Sequence, residues 1–227
     1  MMRKSVFSLV LFSPFLFAVV ETPAQSDQPR FEVGGQFSVL RVDTRTVTVQ
    51  GGGEAITSGG ATDYGFGGRF GYNFSKYLAI EAEGNFFPRN SDLDGGRKTQ
   101  GLFGVRVGKR FGKFGIFAKA RPGFVRYAKG DYRFVSGPAV IPPPLGSFQS
   151  VGTTNFAFDI GAVVEFYPSK RTIIRFDVGD TFIRQGARNV AAFQFNAPSP
   201  GFGLVALAES AETRHHPQIS VGFGFRF

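Results

Sequence analysis

Apolar and polar residues alternate one for one through most of this chain. Between Thr154 and Phe166, Phe156, Phe158, Ile160, Ala162, Val164 and Phe166 fall on one side, while Asn155, Ala157, Asp159, Gly161, Val163 and Glu165 fall on the other. The last residues repeat the pattern, with Ile219, Val221, Phe223, Phe225 and Phe227 set against Ser220, Gly222, Gly224 and Arg226. Successive side chains of a β-strand point to opposite faces, so period two predicts strands. Eight segments carry it, at 30–42, 63–74, 77–87, 98–111, 114–127, 154–167, 171–183 and 216–227. In 114–127, Phe117 falls on the polar side and Pro122 interrupts the run, so a bulge or strand end is expected there.

A soluble antiparallel sandwich also alternates, and three features separate the two cases. One face is almost pure Phe, Val, Ile and Ala and the other mixes charges with glycine, over segments of about the 9–11 residues that a tilted strand needs to cross a bilayer. The joins alternate in length. Ser75-Lys76, Gly112-Lys113 and Pro168-Ser169-Lys170 are tight, whereas 43–62, 88–97, 128–153 and 184–215 are long and rich in Gly, Pro and Ser. Short periplasmic turns against long external loops are the barrel pattern, and they place both mature termini in the periplasm. Aromatic residues then collect at both strand ends. Phe31, Phe74, Tyr77, Phe111, Phe114, Phe166, Tyr167 and Phe227 fall at one rim, and Tyr64, Phe86, Phe87, Phe124, Tyr127, Phe156 and Phe182 at the other. The expected fold is all-β, an eight-stranded antiparallel up-and-down transmembrane β-barrel over 25–227. Closure leaves no unpaired strand edge in lipid.

The first 24 residues break the pattern. Arg3 and Lys4 precede an apolar stretch from Ser5 to Val20, and Thr22-Pro23-Ala24 offers a cleavage site before Gln25, with Ala18 as an alternative. This reads as a cleavable signal peptide. The rival reading, a membrane anchor, meets a short run broken by Ser13 and Pro14.

Composition adds constraints. The 227 residues include 29 Phe, 31 Gly and no Cys, with a formal charge of +9. Without cysteine there is neither a disulfide framework nor a thiolate metal site, and an oxidising compartment is allowed. The positive residues are spread along the chain without a nucleic-acid motif, so nucleic acid is not an expected partner. No metal or cofactor is expected.

The Gly-aromatic stretches GFGGRFGYNFSKYLAIEAEGNFFPR (Gly65 to Arg89) and GVRVGKRFGKFGIFAKARPGFVRY (Gly104 to Tyr127), with the ending VGFGFRF (Val221 to Phe227), carry a resemblance. The sequence resembles small outer-membrane β-barrel proteins of the OmpA-like transmembrane type across the whole mature chain. The resemblance implies residence in the outer membrane of a Gram-negative-type bacterium, with its lipid as surroundings. It also implies that barrel-assembly machinery reads Phe227, with Phe225, Phe223, Val221 and Ile219 behind it. The chain stops at the last strand, so the peptidoglycan-binding domain of full-length relatives is expected to be missing, and cell-wall tethering is not inherited.

An eight-stranded barrel has a bore that side chains can fill. Alternation points Glu32, Arg69, Glu81, Glu83, Arg106, Lys119, Arg121, Asp159, Glu165, Arg175, Asp177 and Arg226 inward. Buried charges need partners, and the mixed signs supply them. Arg69, Glu81, Glu83 and Arg106, on consecutive strands, are expected to couple. Two readings follow, a lumen plugged by ion pairs or a narrow polar path for small solutes or ions. Lys76, Lys113, Lys170 and Arg171 occupy the tight turns, where they are read first as solvated turn residues that resist edge pairing and second as contacts for lipid headgroups or other periplasmic anions.

A third reading, a lipid-acting enzyme, rests on His215 and His216 near Ser220 and Glu212. Ser220 lies four residues from His216, about 13 Å along a strand, with no nucleophile motif around it. Gly51-Gly52-Gly53 opens no helix, which argues against a phosphate loop. Ile141-Pro142-Pro143-Pro144 stiffens the third loop or presents a polyproline segment. The apolar run Gly201–Leu207 in the fourth loop suggests an interaction surface. The leading expectation is a non-enzymatic barrel with a structural or surface-interaction role, and with loops available to an extracellular ligand.

Overall fold

The computed structural model describes residues 29–50, 53–90, 95–136, 146–196 and 201–227. The expected signal segment, Gly51-Gly52 and the Pro142–Pro144 run lie outside these residues. Among the described residues every regular element is a strand: β1 (Phe31–Gln50), β2 (Gly53–Asn73), β3 (Leu78–Phe87), β4 (Lys98–Phe111), β5 (Phe114–Ser136), β6 (Gly146–Phe166), β7 (Thr172–Gln185), β8 (Arg188–Asn196), β9 (Gly201–Glu209) and β10 (Glu212–Arg226). Strands β1 to β7 pair antiparallel in chain order, β7 pairs with β10, and β10 pairs with β1. Eight strands therefore close a ring. Its seam is tied at the ends, where Phe31 N donates to Phe227 O at 2.8 Å and Phe227 N to Phe31 O at 2.9 Å.

The ring is inside out relative to a soluble sheet. Phe66, Phe156 and Ile219 are about 60% exposed (61%, 57% and 60%) on the outer wall, while Arg121, Asp159 and Glu165 are fully buried in the bore. Charged residues are almost never fully buried in soluble proteins unless paired. An apolar band outside and a polar interior is the arrangement a bilayer selects. The solvent of the outer wall is thus hydrocarbon.

The strands are longer than alternation alone predicts. β2 has 21 residues and β5 has 23, about twice what a tilted strand needs to span a bilayer. The β1–β2 ladder runs without a break to Gln50 opposite Gly53, so most of the expected first loop is strand. The β-branched run Thr44 to Val49 explains this. β5 and β6 likewise continue to Ser136 opposite Gly146. Within the expected fourth loop, β8 and β9 form a hairpin, and β8 joins β1 in parallel through Thr48 opposite Phe193. The expected exposed run at Gly201–Leu207 is strand β9. His215, expected to end that loop, lies within β10, as does His216.

Pro122 neither bulges nor ends its strand. Its flanking pairs, Leu102 with Gly123 and Val105 with Ala120, keep one register, and Pro122 faces outward opposite Phe158. Only the ladder bond it cannot donate is forfeited. The irregularity falls instead between Tyr127 and Asp131. Three residues expected in the aromatic rims, Phe87, Tyr127 and Tyr167, are buried. Each has inward parity: Phe87 follows outward Phe86, Tyr167 follows outward Phe166, and Tyr127 shares parity with Arg121.

Glycine lets the wall curve where strands crowd. A Cβ on Gly104 would stand 2.2 Å from Ala120 O, and one on Gly161 would stand 2.1 Å from Val178 O. Gly104→Val should therefore lower barrel stability by about 3 kcal/mol in urea unfolding from phospholipid vesicles. Gly84→Ala, whose Cβ would meet nothing nearer than 4.0 Å, should leave the midpoint in place.

The filled lumen as the candidate functional site

Inward parity on all eight strands delivers charges into one narrow bore. Glu81 on β3 is a hub: Arg175 on β7 donates to it through Nη1 at 2.6 Å and Nη2 at 3.0 Å, and Arg121 on β5 donates at 3.1 Å. Arg121 also donates to Asp159 at 2.9 Å and Glu83 at 2.5 Å. Arg175 holds Asp177 through two bonds of 2.8 and 2.7 Å. Lys119 lies 3.2 Å from Asp159 and 3.5 Å from Asp177. Nearer the short turns, Arg106 donates to Glu32 at 2.8 Å and to Glu165. Arg110 adds a 3.1 Å bond to Glu32. Phe117, the apolar residue on the polar side, is sandwiched by guanidinium groups, with Arg106 at 4.7 Å and Arg110 at 5.1 Å from its ring centre.

These contacts keep the expected Glu81–Arg106 pair and redirect the rest of the expected coupling. β3 and β7 stand on opposite sides of the ring, so Glu81 and Arg175 bridge the full bore. Arg69 is in register with Glu83 on the neighbouring strand, yet its ion contact is Asp177 at 3.9 Å. Arg106 comes only within 4.0 Å of Glu81. In so small a bore, a long side chain reaches the far wall as readily as the next strand. Arg226 also leaves the expected network. It is half-buried at the rim, packs 4.0 Å over Tyr167, and donates to the carbonyl oxygens of Lys170 and Ser169.

Beyond the charges lies an amide and hydroxyl layer. Asn85 accepts from Gln36 and donates to Gln100, both at 2.8 Å. Gln100 donates to Gln218 at 3.0 Å, and Ser38 and Ser220 share a 2.8 Å bond. Toward the long-strand end the filling turns apolar, with Leu40, Val42 and Phe87 in one cluster and Leu102, Val125, Tyr127, Ala157 and Ile183 in another. A buried pair, Lys98 and Asp63 at 2.6 Å, sits there, with Lys98 5.6 Å from the Tyr127 ring centre. Sequence reasoning named neither this pair nor the amide layer. The signal was available, since Asp63 shares the parity of Arg69, and Lys98 that of Arg106.

The candidate enzyme residues do not converge. Ser220 is tied to Ser38, His216 is buried with Nδ1 3.2 Å from Arg41 O, and His215 faces outward with Nδ1 2.8 Å from Asp180. Among the described residues, no group of three His, Cys, Asp or Glu is placed to hold a metal ion. At the short-turn mouth, a pocket of about 300 Å³ is lined by Glu32, Arg110, Tyr167, Lys170 and Arg226, among others. The Tyr167 phenol donates to Glu165 at 2.5 Å. The expected assembly residues Ile219, Val221, Phe223 and Phe225 face outward along β10, and Phe227 is exposed just past its end.

Removing one member of a buried ion network strands its partners. Glu81→Gln should destabilise the refolded barrel by about 3 kcal/mol, read as a lowered urea midpoint at unchanged slope. A shift within about 0.5 kcal/mol would show that the bore is loosely held.

A family model described as the outer membrane protein beta-barrel domain matches residues 10–227. No curated protein matches the chain. Among solved structures, OprG of Pseudomonas aeruginosa is 10% identical, with 88% of this chain and 96% of that chain covered and a TM-score of 0.47. Neisserial surface protein A is 11% identical over 87% and 97%, with a TM-score of 0.46. The outer membrane protease OmpT of Escherichia coli is 9% identical over 87% and 97%, with a TM-score of 0.40. At this level the likeness carries no argument about activity. Closed ring, inverted wall and family match agree: the chain belongs to the outer membrane protein β-barrel domain family.

Proposed function

We propose that the protein is a non-enzymatic outer-membrane barrel with a structural or surface-interaction role, closed to solute passage by its own side chains. The observation that carries this reading is the filling of the bore by cross-lumen ion pairs, an amide layer, and apolar clusters beside the buried Lys98–Asp63 pair. In this reading the segment to Ala24 is a cleaved export signal. Both mature termini and the short turns face the periplasm. The β1–β2 and β5–β6 extensions and the β8–β9 hairpin project outside and carry recognition of an extracellular ligand. The separation of Ser220, His216 and His215 supports the absence of a hydrolytic centre.

Single-channel recording tests the plug. The mature chain from Gln25, refolded into a planar bilayer and verified by a heat-sensitive gel shift, should give no discrete conductance steps. Reproducible openings would favour a narrow channel and make the inward charges its selectivity determinants. The outward stripe ending at Phe227 is proposed as the assembly signal. Deleting Phe227 should reduce the amount of barrel assembled in cells while changing the urea midpoint of the refolded protein by less than about 1 kcal/mol.

A further inference from the structure

The charges around the short-turn mouth do not cancel. The pocket there is lined by Glu32 on β1, Arg110 on β4, Tyr167 and Lys170 between β6 and β7, and Arg226 on β10. Glu32 accepts from Arg106 at 2.8 Å, from Arg110 at 3.1 Å and from the Asn73 amide at 3.0 Å. Glu165, the next acid inward, is held by Arg106 and by the Tyr167 hydroxyl. Two carboxylates therefore meet two guanidinium groups, and Arg226 and Lys170 are left over. Arg226 donates only to neutral carbonyl oxygens, of Lys170 at 2.9 Å and Ser169 at 3.3 Å. Lys170 is exposed, and its ammonium has no acidic partner among the described residues.

The lining also holds donors that the chain does not use. Arg110 spends Nε on Tyr167 and Nη2 on Glu32 and Asn73, which leaves Nη1. Arg226 spends Nε and Nη2 on the turn, which leaves its own Nη1. With the Lys170 ammonium, three cationic groups offer donors around one cavity, and exposed Lys113 and Arg171 add positive charge at its edge. A phosphate monoester carries about two negative charges near neutral pH and three strong acceptor oxygens. It therefore matches both the uncompensated charge and the unused donors, and charge-assisted bonds of this kind are the strong ones.

We propose that the short-turn mouth binds the phosphate monoester group of a small water-soluble molecule through Arg110, Arg226 and Lys170. Glu32, Arg110 and Arg226 have inward parity, so the cavity lies within the strand ring. A lipid phosphate would have to leave its leaflet to reach it, which favours a soluble source. The site goes beyond the structural role proposed above and stands whether or not the bore conducts.

The test is isothermal titration calorimetry of the refolded chain from Gln25 in zwitterionic micelles, with glycerol 3-phosphate as the probe at fixed ionic strength near neutral pH. Saturable binding of one probe per barrel is expected, and its absence would overturn the site. Arg226→Gln and Lys170→Gln should each weaken binding about tenfold, the loss of one charge-assisted bond. Lys76→Gln, in a short turn outside the cavity, should leave it intact. Equal loss from Lys76→Gln would reduce the effect to general charge and overturn the site, as would unchanged binding in the two cavity variants. Lys170→Gln changes only an exposed turn and provides the reading should Arg226→Gln fail to fold, as judged by the heat-sensitive gel shift. Inorganic phosphate should compete with the probe, and failure to compete would overturn phosphate recognition. Displacement of the probe by equimolar phosphatidic acid in the micelles would mark a lipid-headgroup site and overturn the soluble source.

Discussion

A backbone amide in hydrocarbon has no water to bond, and leaving it unpaired costs several kcal/mol. This constraint sets the architecture. A sheet in lipid has to close, and here the closure is the seam between β1 and β10, with Phe31 and Phe227 bonded reciprocally at its end. Closing with eight strands leaves a bore too narrow for water to screen charges freely. The side chains on the inner face must then satisfy one another, and the small residues at Gly104 and Gly161 follow from the crowding of the same ring.

The interior is organised by what each group needs. Six carboxylates, from Glu32, Glu81, Glu83, Asp159, Glu165 and Asp177, face the cations of Arg69, Arg106, Arg110, Lys119, Arg121 and Arg175. Near-neutrality matters more than any single bond, because the desolvation of a buried charge can exceed its Coulombic return unless the geometry is good and the remaining valences are filled. Glu81 meets that condition with three donors from two arginines. Toward the long-strand end neutral amides and apolar side chains fill much of the bore, around the buried Lys98–Asp63 pair.

Parity made most of this legible in advance. Counting by twos identified the eight wall segments, the inverted faces and eleven inward charges, because alternation in a barrel wall is a strict geometric consequence of the pleat. It did not identify partners. Arg69 with Asp177 and Glu81 with Arg175 are cross-bore contacts, and nothing in local spacing encodes which wall a flexible side chain will touch. Parity applied consistently would also have moved Phe87, Tyr127 and Tyr167 inside, where the tendency of aromatics to gather at strand ends suggested otherwise. The strand extensions at β1, β2, β5 and β6 were hidden by their polar composition. Outside the bilayer, a hairpin needs no apolar face to remain paired.

The cross-bore pairs also order events in time. Glu81 and Arg175 are 94 residues apart in the chain, and Arg106 and Glu32 are 74 apart. Contacts of such sequence separation form late, after the loops between them have been closed. A sheet that has laid down β3 but not yet β7 holds Glu81 without its principal cation, and one lacking β1 leaves Arg106 without Glu32. Sealing the seam between β1 and β10 holds the walls at the spacing these cross-bore pairs require, so the closed wall and the neutral interior depend on one another.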